Sequence, residues 1–216
     1  MLIVSCQADS DSPFNKPEYI SLFAKCAASC GASAVRIEGI NNLKDVSSKV
    51  QIPIIGLVKD HYPDGTVRIS RNESDIKEIL KYTDTVAIDG TSREGGPEFI
   101  KYIKNKYNCK IVADVSYAME ALKCADYSDY ISTALSGYTA GETTPEEPDY
   151  SLIRLIAHAL PDKKLIAEGR FNTPEKAVKA IITGANYVCV GSAITNPCRI
   201  IKWYNEELNE IPILDC

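Results

Sequence analysis

The chain has 216 residues, a length that suits one α/β barrel, and residues 1–216 are read as a single domain. With 45% hydrophobic and 25% charged residues, its composition is that of an ordinary globular protein rather than a disordered one. A net charge of −5 without a basic cluster argues against nucleic-acid and anionic-membrane partners.

"MLIVSCQAD" opens with an apolar run but has no positive flank and is too short for a signal peptide, so a cytoplasmic location is the default expectation. No stretch reaches the roughly 18 apolar residues of a membrane span. From there, short β-branched runs alternate with helical periodicity. "LIVSC" predicts a first strand and "EYISLFAKCAASC" a helix. "AVRIEG" is followed by a short helical candidate, "NNLKDVSSKV", and then by "IPIIGLVK". An enlarged loop, "DHYPDGTVRISRN", carries a Pro-Asp-Gly turn and a β-like piece before the helix "ESDIKEILKY". The pairs continue with "TVAIDG" and "PEFIKYIKNKY", then "KIVADVS" and "MEALKCA". After "YISTAL" comes a long loop whose acidic part, "GETTPEEPD", reads as solvated. "YSLIRLIAHAL", "KLIAEG", "PEKAVKAIITG", "YVCVGSA" and "NPCRIIKWYNEEL" complete the series.

Eight strand–helix units in one domain-sized chain predict a closed parallel (β/α)8 barrel, a TIM barrel of phosphate-binding type. A doubly wound open sheet is the alternative, but "SCQADSDSP" stands where a Gly-rich fingerprint would follow the first strand. The eight cysteines include no C-x-x-C pair, and His61 and His158 are far apart, so no metal site is expected. Most of these thiols read as small buried hydrophobes.

Reactive groups in such barrels come from the C-terminal strand ends. In order, those ends carry Gln7, Arg36, Lys59, Asp89, Asp114, Ser136, Glu168 with Gly169 and Arg170, and Gly191 with Ser192. "AEGR" and "VGSA" close the last two strands, where backbone N–H groups and a helix N-terminus commonly hold a phosphate. Lys59 and Glu168 supply a base and an acid. An unperturbed lysine, with a pKa of roughly 10.4, is only about one part in a thousand neutral near pH 7.5. Burial and Arg36 would lower that pKa, while Asp114 or Glu168 would oppose the shift. A strand-end lysine also suits Schiff-base chemistry of the aldolase kind, and a binding-only barrel is a third reading.

Taken together, "LIVSCQA", "VRIEG", "PIIGLVKD", "VAIDGTSR", "VADVS", "TALSGYT", "AEGRFNTPEKA" and "VGSAIT" span essentially the whole chain. In this order and spacing they resemble the N-acylmannosamine-6-phosphate 2-epimerases of sialic acid catabolism. The resemblance implies a phosphate-binding barrel that interconverts N-acetylmannosamine 6-phosphate and N-acetylglucosamine 6-phosphate. It implies no metal or organic cofactor, a sugar-phosphate partner and a homodimer. It also implies Lys59 and Glu168 as catalytic pair, with Gln7, Arg36 and Asp114 around the sugar. Gly169, Arg170, Gly191 and Ser192 are the expected phosphate-side contacts. One position departs: the family's "GSAITRP" is here "GSAITNP", with Asn196 in place of a phosphate-binding arginine. Arg199, one turn into the last helix, is the candidate replacement.

Overall fold

A computed structural model describes residues 1–62, 66–139 and 146–209. The expected Pro63-Asp64-Gly65 turn, residues 141–145 of the acidic stretch and the apolar tail "IPILDC" lie outside the described residues.

Strands β1 (Leu2–Cys6), β2 (Ala34–Glu38), β3 (Ile54–Leu57), β6 (Thr85–Asp89), β7 (Lys110–Asp114), β8 (Tyr130–Ser132), β9 (Lys164–Glu168) and β10 (Tyr187–Val190) pair in that order. All neighbours are parallel, and β10 closes on β1 through Leu2↔Val188 to Val4↔Val190. This is the closed (β/α)8 barrel that the strand–helix alternation predicts. No helix among the described residues is long and apolar enough to cross a membrane.

Side chains alternate across each strand with a period of two. Ile3, Ala34, Ile55, Leu57, Ala87, Val112, Ile166 and Cys189 fill the barrel interior as one buried cluster. The opposite set, including Val4, Val35, Ile37, Val86, Ile88 and Ile111, packs outward against Ile20, Ile76, Ile100, Ile103 and Ile153 of the helices. Each such side chain contributes roughly 1.5–3 kcal/mol by leaving water.

Helices α1 (Pro17–Ser29), α2 (Ile40–Ser47), α3 (Glu73–Ile79), α4 (Gly96–Lys106), α5 (Ala118–Cys124), α6 (Tyr150–Ala159) and α7 (Pro174–Thr183) join the strands. Their starts follow the local sequence. Asp149 caps α6 by accepting from the Leu152 N–H at 2.9 Å. Thr173 caps α7, with Pro174 in the first turn where its missing N–H is harmless.

Two features differ from the sequence reading. The barrel part of "IPIIGLVK" ends at Leu57, and Lys59 opens a separate strand, β4 (Lys59–His61), antiparallel to β5 (Val67–Ile69). Ser70, at φ 48°, causes the break: its N–H donates to the Val58 carbonyl at 2.9 Å and its hydroxyl accepts from the Val58 N–H at 3.1 Å. The chain is thereby captured by its own hairpin, and β3 pairs with β6 through only Ile55↔Thr85 and Gly56↔Val86. The second difference follows β10, where a one-turn helix, α8 (Ser192–Thr195), precedes the expected terminal helix, α9 (Pro197–Asn209). Pro197 separates the two, because a residue before proline is pushed out of the helical region. Asn196 accordingly sits at φ −120°, ψ 80°.

Candidate active site

The alternation that fills the barrel interior carries polar residues to its rim. Two residues beyond Ala34, Val112 and Ile166 on their strands lie Arg36, Asp114 and Glu168. Arg36 is 4% exposed and Asp114 fully buried. The guanidinium meets Asp114 as a fork, Nη1 to Oδ1 at 3.1 Å and Nη2 to Oδ2 at 2.6 Å. Its Nη1 also lies 3.4 Å from Oε2 of Glu168. Burial opposes the Arg36 charge, but Asp114 and then Glu168 outweigh it, so the cation is held firmly.

Glu168 has the opposite balance. Burial pushes its carboxyl pKa up, Arg36 pulls it down, and Asp114 pushes it up again, with a net rise. Its Oε2 is buried, faces Arg36 Nη1 at 3.4 Å and makes no hydrogen bond among the described residues. The Glu168 backbone is clasped by Thr133, whose hydroxyl donates to the Glu168 carbonyl at 2.9 Å and accepts from its N–H at 3.0 Å. Thr133 opens the motif "TALSGYT" but was not among the expected site residues.

Lys59 lies half-buried on the hairpin beside this cluster, and its Nζ donates to Oε1 of Gln7 at 2.5 Å. Burial lowers the amine pKa most, and the Arg36 charge lowers it further. Glu38, Glu168 and Asp9 oppose, and the net shift is downward. Burial and Arg36 therefore win the contest that the sequence left open.

At the neighbouring rim, Gly169 at φ 110° and Arg170 at φ 64° turn the chain sharply after β9. The Arg170 guanidinium reaches across to the loop before α6, Nε to the Glu147 carbonyl at 2.8 Å and Nη1 to the Ser136 carbonyl at 2.9 Å. It straps a loop. Gly191 leads into α8, whose first N–H groups lack intrahelical partners, as at any helix start. Asn196 donates from Nδ2 to Oδ2 of Asp9 at 2.8 Å and accepts the Arg199 N–H at 3.1 Å. The Arg199 side chain is exposed, with its guanidinium 5.9 Å from the centre of the Trp203 ring.

The structure thus joins Gln7 to Lys59 and Arg36 to both Asp114 and Glu168, through direct contacts. Asp89, also fully buried at a strand end, belongs to a different network. It accepts from the Thr91 hydroxyl at 2.5 Å and from Arg93 Nη2 at 3.1 Å, and the same Nη2 donates to the Val67 carbonyl of the hairpin at 3.2 Å. No group of three His, Cys, Asp or Glu suited to a metal ion occurs among the described residues. The rim thus brings an amine of lowered pKa and a carboxyl of raised pKa beside a fixed cation, a set suited to moving protons.

Residues 20–210 match a family model described as "Putative N-acetylmannosamine-6-phosphate epimerase". A Haemophilus influenzae protein named "Putative N-acetylmannosamine-6-phosphate 2-epimerase" is 41% identical over 94% of this chain and 90% of its own length. An Escherichia coli O9:H4 protein of the same name is 40% identical over 97% of this chain and 92% of its own. Among solved structures, the N-acetylmannosamine-6-phosphate 2-epimerase from Clostridium perfringens matches with a TM-score of 0.85 and 33% identity, covering 95% of this chain and 92% of that one.

Proposed function

The chain belongs to the N-acetylmannosamine-6-phosphate epimerase family, and from that premise we propose that it interconverts N-acetylmannosamine 6-phosphate and N-acetylglucosamine 6-phosphate by proton transfer at C2. The observation that carries this mechanism is the pairing of a down-shifted Lys59 with an up-shifted Glu168 around the buried Arg36 cation.

The C2 hydrogen is acidic only with a carbonyl at C1, so the pyranose opens first. Glu168 hands protons between the ring and C1 oxygens, a role that its raised pKa and the unmade hydrogen bond of Oε2 suit. The neutral Lys59 amine then takes the C2 proton. The C–H electron pair moves into the C1–C2 bond, and negative charge collects on O1, where Arg36 offsets it. Return of the proton to the opposite face of C2 inverts the centre. Side chains perform every step, so activity should survive exhaustive dialysis against a chelator.

The phosphate binds at the turns after β9 and β10, on the backbone of Gly169, Arg170, Gly191 and Ser192. Asn196 cannot provide a cation there, and Arg199 supplies it by swinging off the Trp203 ring. Arg199→Ala should then raise KM several-fold, and an unchanged KM refutes that role. Sialic acid catabolism in the cytoplasm is the setting this activity fits, with a homodimer as the working assembly.

The test is proton NMR of the protein with N-acetylmannosamine 6-phosphate in D2O, beside Lys59→Ala. Deuterium should enter C2 as the gluco epimer forms, and both should stop in the variant. A Schiff-base lysine would instead yield a borohydride-stable adduct at Lys59. Epimerisation without deuterium uptake would overturn the proton-transfer mechanism.

A further inference from the structure

We propose that Ser5 is a positioning residue for the proton transfer, its hydroxyl holding the Gln7 amide with the carbonyl turned to Lys59. The proposal rests on Lys59 being the C2 base. Gln7 Nε2 donates to Ser5 Oγ at 2.6 Å, and Gln7 Oε1 accepts from Lys59 Nζ at 2.5 Å, so the three side chains form one line. An amide has a donor end and an acceptor end. With Ser5 engaging the NH2 end, only the carbonyl is left for the amine. The reversed amide would donate its NH2 into the lone pair of the neutral amine and so occupy the electrons that must take the C2 proton.

Ser5 is itself held on several sides. It is 1% exposed and lies in β1 in register with Arg36 of β2. Its carbonyl accepts from the Thr195 hydroxyl at 3.0 Å, and a Cβ on Gly191 would stand only 3.4 Å from its own Cβ. The hydroxyl therefore has a fixed origin, between the turn leading into α8 and the line to the amine. A neutral amine that gives one N–H to a fixed carbonyl has its lone pair restricted in direction. That restriction is what abstraction from a defined C–H bond requires.

The experiment compares wild type, Ser5→Ala and Lys59→Ala for kcat, KM, deuterium entry at C2 and the pH dependence of kcat/KM. For Ser5→Ala, kcat and deuterium entry should fall together by about tenfold with KM nearly constant, as for a displaced catalytic group. The ascending limb should also move to lower pH, because a carbonyl acceptor favours the ammonium form and its loss lowers the amine pKa. Acylation of Lys59 by acetic anhydride across pH, read by peptide mass spectrometry, should show the same displacement without needing turnover. A reduced melting temperature with kcat and the limb unmoved would assign Ser5 a purely structural role and overturn the proposal. Should wild type show no exchange, the epimerase mechanism fails, while the acylation profile still decides whether Ser5 governs the amine. If Ser5→Ala does not fold, Ser5→Cys, similar in size but a weak acceptor, takes its place under the same criteria.

Discussion

At the scale of single residues, the site depends on Arg36, a cation with almost no contact with solvent and two carboxylates against it. Removing one member of a buried ion pair costs about 3–5 kcal/mol, because the remaining charge keeps its desolvation penalty. Arg36→Ala should therefore lower the melting temperature and abolish turnover together, as calorimetry and the epimerase assay would show. The titrations give a second expectation. On the proposed mechanism the rate rises with pH as the Lys59 amine, its pKa lowered, gives up its proton, and falls as the Glu168 carboxyl, its pKa raised, loses its own. The profile should be a bell, with Glu168→Gln removing the descending limb and slowing the plateau. Stability has its own sign. A carboxyl whose folded pKa is raised stabilises the fold at low pH and loses that contribution as pH climbs through the folded value. Glu168→Gln should accordingly raise the melting temperature at neutral pH and leave it unchanged near pH 4. The strand-end position of Glu168 was legible because an apolar run stops there, whereas Lys59, chosen on the same ground, opens β4 two residues beyond the end of β3. Ser5 was not legible, since a small hydroxyl inside "LIVSC" breaks no pattern, and its part appears only with Gln7 folded over it.

At the scale of elements, the hairpin of β4 and β5 decides where the Lys59 amine stands. Lys59 pairs with Ile69, and Arg93 grips the Val67 carbonyl from the loop after β6 while Asp89 holds the guanidinium. Arg93→Ala should release that corner. Misplacing a catalytic group by about 1 Å can cost about 100-fold in rate, so kcat should fall far more than KM rises. An unchanged kcat would show that the hairpin holds without Arg93. A packing prediction concerns β3. A Cβ on Gly56 would stand 2.6 Å from Cγ2 of Ile79 and 3.0 Å from Cγ2 of Thr83, so α3 packs directly on bare backbone. Gly56→Ala should destabilise the fold by about 1–3 kcal/mol through overpacking, measured by denaturant unfolding. Helices were the most legible elements, since caps and periodicity agree: "PEKAVKAIITG" predicted α7 to within a residue of Pro174–Thr183. The hairpin strands and α8 are three or four residues long. Of these only β5 was legible, as the β-like piece of the enlarged loop; β4 and α8 are too short for either period to register and follow from Ser70 and Pro197 rather than from runs of their own.

At the scale of the whole molecule, barrel closure was legible from counting, because eight parallel strands with covering helices leave no edge to protect. What encloses α9 was not. This thirteen-residue helix contributes no buried residue, yet Ile201, Tyr204 and Leu208 stand 59%, 68% and 61% exposed at the spacing of one helical face. The other face includes Lys202, Glu206 and Asn209, so α9 is amphipathic and its apolar side has no cover among the described residues. A second copy of the chain, presenting the same side, would cover both helices at once across a two-fold axis. Light scattering after gel filtration at micromolar concentration should then give twice the chain mass of 23.7 kDa. The double variant Ile201→Glu with Tyr204→Glu would set like charges against each other across that axis, and should yield monomers that retain the circular dichroism of the wild type. A dimer that survives both substitutions would place the interface elsewhere on the barrel, and a wild-type monomer at these concentrations would leave α9 without a second copy to cover it.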